Sequence, residues 1–410
     1  PIQALDYIAL QGKTADVLFV LLNFHPFLND SSAVRTRLQT LFTRNQFAGG
    51  MGDKNWAHTV LFAHPVSKLH PEVAHLIEPI QLALPSFHEI RDVIIPKSIA
   101  TVFSDEVREE SEKAPELVER IAAACRGLTS HQIDDALSRS ISLHKVSDPK
   151  LIESLQKHKN TLINSSGLVR YYEGTETFDD LGGLDSLKSF CKKILQPRQN
   201  DAPARPRGVL LLGPPGSGKS AFAKALGKET GRPTVVLDIG ALMGRFVGQT
   251  EENTRAALEI ADACSPCILF VDEIEKALAG ANGQAGDSGV ALRMLGTILS
   301  WLNDHESDVF FIATANDASR LPPEFCRAER FDCMFFLDWP NQSERDVIWR
   351  LFLARYKLDA DQPRPPDDGW TGAEIQSCCR LASLCGVSIV EASSYVIPVS
   401  ASGSEALEAL

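Results

Sequence analysis

Residues Gly213-Pro214-Pro215-Gly216-Ser217-Gly218-Lys219-Ser220 decide how the rest of the chain is read. The apolar run Val209-Leu210-Leu211-Leu212 precedes them, and Ala221-Phe222-Ala223-Lys224-Ala225-Leu226 follows. The order is a buried strand, a glycine-rich turn and a helix. The spacing is G-x-x-x-x-G-K-[ST], a loop whose backbone N–H groups point inward at phosphate oxygens. The N-terminus of the following helix adds a partial positive charge. In such a loop the stretch from Pro215 through Gly216, Ser217 and Gly218 to Ala221 cradles the phosphates. Lys219 reaches the β and γ phosphates, and Ser220 holds Mg²⁺ through its hydroxyl.

About fifty residues further on, Cys267-Ile268-Leu269-Phe270-Val271-Asp272-Glu273 is an apolar strand ending in two carboxylates. After a phosphate loop, this pattern assigns Asp272 to the metal and its waters. Glu273 is then the general base that polarises the attacking water. Val309 to Asp317 is a further strand with a polar tip, which places Asn316 beside the same water. Two arginines three residues apart, Arg327 and Arg330, follow. At this place they are expected as fingers that reach a neighbouring subunit's nucleotide, which implies a ring.

These motifs resemble an AAA+ ATPase module over Phe178–Leu410. The resemblance implies an α/β fold, a P-loop module with a doubly wound parallel sheet and a helical lid. It also implies ATP as nucleotide, with Mg²⁺. Asp180-Leu181-Gly182 matches the family's adenine-contacting segment, and Gly372-Ala373-Glu374 the lid motif beside the nucleotide. Gly244-Arg245-Phe246-Val247-Gly248 matches the first pore loop, in which Phe246 and Val247 grip polypeptide, and Gly280–Gly289 the second. The whole chain is also similar to one AAA+ family of cyanobacteria and plastids, named for hypothetical chloroplast open reading frame forty-six. The likeness lies in Asn23-Phe24-His25-Pro26-Phe27-Leu28, in Thr314-Ala315-Asn316-Asp317 and in the tail Tyr395-Val396-Ile397-Pro398-Val399-Ser400. It implies a degenerate, partial AAA-like α/β domain ahead of the module and a link to regulation of photosynthesis and inorganic-carbon use. Glu329 departs from the pattern, which has Gly before Arg-Phe-Asp. A carboxylate there is placed to pair with one of the two arginines and slow hydrolysis.

The chain echoes itself. Leu69-His70-Pro71-Glu72 returns as Leu321-Pro322-Pro323-Glu324, and Arg91-Asp92-Val93-Ile94 after Pro85 as Arg345-Asp346-Val347-Ile348 after Pro340. Gly127-Leu128-Thr129-Ser130-His131-Gln132-Ile133 returns as Gly369-Trp370-Thr371-Gly372-Ala373-Glu374-Ile375. The N-terminal repeat lacks a phosphate loop in the residues present. Asn23 stands where the C-terminal repeat has Asp272, and His75 and Glu78 where it has Arg327 and Arg330. This predicts an N-terminal domain over 1–165 that does not hydrolyse nucleotide, a nucleotide-binding core over 166–340 and a lid over 341–410. Strands are expected over Asp16–Leu22 and Thr59–Ala63, and helices over Ser31–Thr43, Phe87–Ile94, Ser104–Cys125 and Thr129–His144. Gln46–Asp53 reads as a loop, Ser147–Gly167 as a polar helical connector, and Ser343–Tyr356 and Thr371–Cys385 as the main lid helices.

The 410 residues suffice for two or three domains, and 44% hydrophobic content permits sizeable cores. A net charge of -12 disfavours a phosphate-backbone partner and hence a nucleic-acid motor. A small-molecule kinase gives Asn316 and the paired arginines no role. The expected partners are identical subunits in a hexameric ring and a protein substrate. The rival reading is a nucleotide-gated scaffold. No run of about 18 apolar residues marks a membrane span. The nine cysteines suit reduced thiols in a cytosol. Cys264-Ser265-Pro266-Cys267 has no second pair to complete a zinc site and reads as packing. Cys378 and Cys379 are expected on different faces of one helix. Because Pro1 rather than Met opens the chain, some N-terminal sequence is expected to be missing.

Overall fold

A computed structural model describes residues 1–11, 17–47, 58–63, 69–78, 80, 84–102, 115–143, 148, 150–196, 205–243, 249–276, 287–325, 327 and 330–399. They group into two compact units, Pro1–Ala83 and Leu84–Leu410. The expected domain boundary at 165/166 falls inside the second unit.

In the first unit β1 (Val17–Leu22) and β2 (His58–Ala63) pair in parallel, in register from Val17–His58 to Leu22–Ala63. Both strands begin within a residue of their expected positions, but their unbroken apolar runs, which read as strands buried on both faces, leave one face exposed among the described residues. Helices Ile2–Gln11, His25–Asp30 and Ser32–Phe47 belong to the same unit. Phe19, Leu21, Val60 and Phe62 turn toward a core of Leu5, Ile8, Phe24, Leu28, Leu38 and Val73. The alternate residues do not: Leu18 is 60%, Val20 50%, Leu22 72% and Leu61 42% exposed. The unit thus covers one face of its sheet.

The second unit covers both faces of a six-stranded sheet. Its strands are β3 (Val169–Tyr171), β4 (Gly208–Leu212), β5 (Thr234–Leu237), β6 (Cys267–Val271), β7 (Val309–Ala315) and β8 (Cys333–Phe336). They lie in the order β3-β5-β6-β7-β4-β8. All neighbours are parallel except β3, which runs antiparallel to β5 at one edge. A period of two splits the side chains between two cores. Val209, Leu211, Val236, Ile268, Phe270, Phe310 and Ile312 meet helices Asp185–Ile194 and Lys219–Thr230. Leu210, Val235, Leu269, Val271, Phe311 and Ala313 meet helices Gln249–Ala263 and Asp287–Asp304 on the other face.

That second face has further cover. Helices Pro115–Cys125, Ser130–Leu143 and Lys150–Ser165, together with the helical stretch from Phe87 to Val102, contribute Ile90, Ile99, Ile121, Leu137 and Leu155 to the same core. These are the lid helices of the N-terminal repeat. The echo seen in the sequence is a structural one. Thr129 and Gln132 cap one helix reciprocally, Thr129 N–H donating to Gln132 Oε1 at 2.9 Å and Gln132 N–H to Thr129 Oγ1 at 3.3 Å. Thr371 and Glu374 do the same for helix Gly372–Cys385. Ser86 accepts from Glu89 N–H as Asn341 accepts from Glu344 N–H.

The C-terminal lid consists of helices Gln342–Arg355, Gly372–Cys385 and Ile389–Ser393 around Trp349, Leu353, Trp370 and Ile375. Cys378 and Cys379, expected on different faces of one of these helices, are both fully buried in it. Adjacent helical residues are only about 100° apart, so a helix packed on two sides hides both. Helix Ile2–Gln11 and strand β3 had no reading in the sequence.

Candidate functional site

The tip of β4, the tips of β6 and β7, the segment after Phe178 and the lid converge on one cavity of about 810 Å³. Asp180, Leu181, Gly182, Pro215, Gly216, Ser217, Gly218, Lys219, Ser220, Ala221, Asp272, Glu273, Asn316, Gly372 and Ala373 all line it. Every residue expected at a nucleotide, except those on the trans fingers and the pore loop, is therefore brought together.

The turn after β4 opens helix Lys219–Thr230, so its N-terminal N–H groups face the cavity. Gly216 sits at φ 83°, and a Cβ there would lie 2.7 Å from Thr371 Oγ1. No side chain fits between the loop and the lid at that point. The Lys219 side chain is 5% exposed as a residue and donates to Gly213 O and Pro214 O, both at 2.7 Å. Burial pulls its ammonium down to about 8, against the opposing charges of Glu275, Asp272 and Glu273. An incoming anion is therefore met by a poorly hydrated cation already aimed along the loop.

The carboxylates are held from several sides. Ser220 Oγ donates to Asp272 Oδ1 at 2.8 Å, and Thr314 Oγ1 donates to the same oxygen at 2.6 Å. Thr314 Oγ1 in turn accepts from Glu273 N–H at 2.9 Å. Asn316 Nδ2 donates to Glu273 Oε1 at 3.0 Å, and Asn316 N–H to Glu275 Oε1 at 2.9 Å. Lys276 forms an ion pair with Glu273 Oε2. The Glu273 backbone takes φ 49°, a left-handed turn that lifts its carboxylate off the strand end. Ser220 and Asp272 together offer a hydroxyl and a carboxylate to one point. Mg²⁺ takes such hard oxygens, one or two from protein and the rest from water and phosphate, so the pair fits a metal delivered with a nucleotide. Among the described residues no cluster of three His, Cys, Asp or Glu forms a separate metal site.

Asp180, Leu181 and Gly182 line the opposite wall. Asp180 Oδ2 accepts from Thr177 N–H and Thr177 Oγ1, capping its own turn over Phe178–Asp180. That carboxylate oxygen is thus spent locally. Lid residues Ile348, Phe352, Gly372 and Ala373 close the side facing that wall.

The two arginines differ. Arg330 donates to the Leu299 carbonyl of helix Asp287–Asp304 in its own chain. Arg327 is exposed, its side chain has no partner among the described residues, and it does not line the cavity. Phe246, Val247, Glu329 and most of Gly280–Gly289 lie outside the described residues. Cys264 and Cys267 are buried, and burial raises both thiols, so the C-x-x-C packs rather than reacts.

Three residues of the site escaped the sequence reading. Thr314 was legible as the one hydroxyl in an otherwise apolar strand. Glu275 stands two residues after Glu273 and is only 4% exposed. Lys276 carried no signal, since a lysine after carboxylates is the normal surface pattern.

A profile of the AAA family, ATPases associated with various cellular activities, matches residues 209–339. A profile for the second domain of SpoVK-like AAA ATPases matches residues 89–166. The chain is 32% identical over 394 residues to an uncharacterized AAA domain-containing protein ycf46 of Trieres chinensis, covering 92% of this chain and 74% of that one. It is 33% identical over 386 residues to the protein of the same name from Pyropia yezoensis, covering 92% and 75%. A cell division cycle protein 48 homolog of Archaeoglobus fulgidus is 30% identical over 223 residues, covering 51% of this chain and 30% of its own.

Proposed function

The chain belongs to the family of AAA domain-containing ycf46 proteins, and from that premise we propose that it hydrolyses ATP at the subunit interfaces of a hexameric ring and uses the turnover to remodel a partner protein. One observation carries this reading. Ser220, Thr314, Asp272, Asn316 and Glu273 form a single hydrogen-bonded chain at the phosphate end of the cavity.

Each residue then has a task. The loop N–H groups and Lys219 hold the β and γ phosphates. Ser220 and Asp272 hold the Mg²⁺ that arrives with ATP and supplies charge neutralisation when bound. Glu273 takes the proton of the attacking water as it adds to the γ-phosphorus, and ADP leaves. Asn316, anchored through its own N–H to Glu275, sets where the Glu273 carboxylate points. Among the described residues that line the cavity, Lys219 is the one cation, and the transition state calls for another. Arg327, exposed and outside the cavity, supplies it from the adjoining subunit. Arg330 holds the base of that segment to helix Asp287–Asp304.

The test mixes two inactive proteins. Glu273→Gln and Arg327→Ala each bind ATP and release no phosphate. Mixed in one ring, an intact Glu273 meets an intact Arg327 at some interfaces, and activity returns. No recovery on mixing, with both proteins in the ring, overturns action in trans. Phe246→Ala separates the remodeller from the nucleotide-gated scaffold. A remodeller loses partner processing while basal hydrolysis stays, whereas a scaffold is unaffected and its assembly size follows bound nucleotide.

A further inference from the structure

The cavity has a phosphate end and a far end, and the far end is organised by a residue that does not touch the cavity. Lys188, on helix Asp185–Ile194, donates from Nζ to Leu181 O at 2.6 Å and to Phe178 O at 3.1 Å. Those two carbonyls bracket Asp179 and Asp180. Its ammonium also lies 5.7 Å from the centre of the Phe178 ring, and that of Lys192 lies 5.1 Å from it. Phe178 stacks on Phe222 of the helix that follows the phosphate loop, at 5.4 Å and 19° between planes. Gly182 is pressed against the lid, where a Cβ would lie 2.4 Å from Ile348 Cγ1. The segment is therefore fixed at three points: by Phe222 behind it, by Ile348 across it and by Lys188 through its own carbonyls.

We propose that Lys188 is a positioning residue for the nucleobase: by pinning the carbonyls of Phe178 and Leu181, it fixes the Asp180–Gly182 main chain so that it reads the edge of adenine and discriminates against guanine. The proposal rests on the reading of the cavity as an ATP site. The chemistry is one of matched polarity. Adenine offers an amino donor next to a ring-nitrogen acceptor, and guanine offers a carbonyl acceptor next to a ring N–H donor. A main chain held in one orientation satisfies the first and leaves buried groups unpaired with the second, which is how a polar site rejects an analogue. With the Leu181 carbonyl taken by Lys188, the segment cannot rotate to present the opposite polarity. A bound ammonium suits this task. Three donors on one nitrogen reach two carbonyls at once, and partial burial keeps water from competing. Burial also draws the Lys188 ammonium below its ordinary range, with Asp185 and Asp179 opposing the shift.

The experiment measures the binding of ATP, GTP and inorganic tripolyphosphate, each with Mg²⁺, to the full chain and to Lys188→Met, together with kcat and KM for ATP. Tripolyphosphate reports the phosphate end alone. The expected result is unchanged tripolyphosphate binding, a KM for ATP raised about tenfold, unchanged kcat at saturation and an ATP-over-GTP preference reduced by about the same factor. Lys188→Arg restores most of the preference. If Lys188→Met does not fold, Lys188→Gln, with one amide donor on a shorter stem, carries the same expectation at smaller amplitude. Parallel loss of ATP and tripolyphosphate binding shows a merely structural lysine and overturns the proposal. So does an unchanged ATP-over-GTP ratio. If the parent protein binds neither ATP nor tripolyphosphate, the ATP reading itself falls, and this inference with it.

Discussion

Strands β1 and β2 of the first unit and β6 and β7 of the second are the same device used twice. Both are parallel pairs, and a residue of positive φ follows the first strand of each, Asn23 at 51° directly after β1 and Glu273 at 49° two residues after β6. The surroundings differ. β6 and β7 are buried along their whole length on both faces, between helices on either side. β1 leaves Leu18, Val20 and Leu22 exposed. At the tips, β6 and β7 present Asp272, Glu273, Thr314 and Asn316 in one bonded chain, whereas among the described residues Asn23 donates its N–H to Ala63 O and joins no such chain. The scaffold alone therefore does not make a site. A site needs the phosphate-loop strand alongside and a second packed face that keeps the carboxylates from moving. The lids make the same point. Both repeats keep the reciprocal cap at the helix start, but only the C-terminal one lays it against a phosphate loop, at Gly216.

The comparison is broken most severely at the arginine. Arg327→Ala is expected to lower phosphate release by about 10³–10⁵, while His75→Ala, at the echoing position of the N-terminal repeat, leaves the rate unchanged. A comparable loss in both would assign chemistry to the first unit. Glu273→Gln follows, with about 10²–10⁴ lost in turnover and ATP binding retained; Asn23→Ala in the same assay is silent. Packing comes next. Phe270→Ala, in β6, costs about 3–5 kcal/mol in chemical unfolding. Leu18→Ala, on the bare face of β1, stays within about 0.5 kcal/mol. Equal costs would mean that the β1 face is covered in solution.

The smallest effect concerns protons. Lys219 titrates at about 8 in the fold against an ordinary 10.5. Between these values the unfolded chain holds a proton that the folded one has released, so stability rises with pH across that window. Below about pH 8 the full cost of the buried ammonium is present. The melting temperature of the parent protein should climb between pH 8 and 10 relative to Lys219→Met, and parallel curves would count against a depressed lysine.

Much of this was legible in the sequence for physical reasons. A phosphate loop is a local conformation, written in glycine spacing. Parallel strands buried on both faces announce themselves as unbroken apolar runs, and Asp272, Glu273 and Asn316 sit at their ends. The reciprocal helix caps at Thr129 and Thr371 are also local. What stayed hidden depends on distance in space. No sequence pattern indicates that helices 115–165 cover the sheet of the following module, since their apolar stripe is equally suited to a domain of their own. Nor does Asp180 reveal that its carboxylate caps its own turn, or Lys188 that its ammonium serves two carbonyls across the segment.

The packing of those helices also bears on how the protein is cut. A fragment starting at residue 166 strips Ile90, Ile121, Leu137 and Leu155 from a shared core. One starting at residue 84 keeps it whole.

The lysine of the phosphate loop has a last consequence. Its ammonium is already shared between two main-chain oxygens, so a triphosphate must outcompete Gly213 and Pro214 for it. Measured affinity is then a difference between two satisfied arrangements. On the proposed reading, release of product would restore those two bonds, which favours repeated cycling over tight retention.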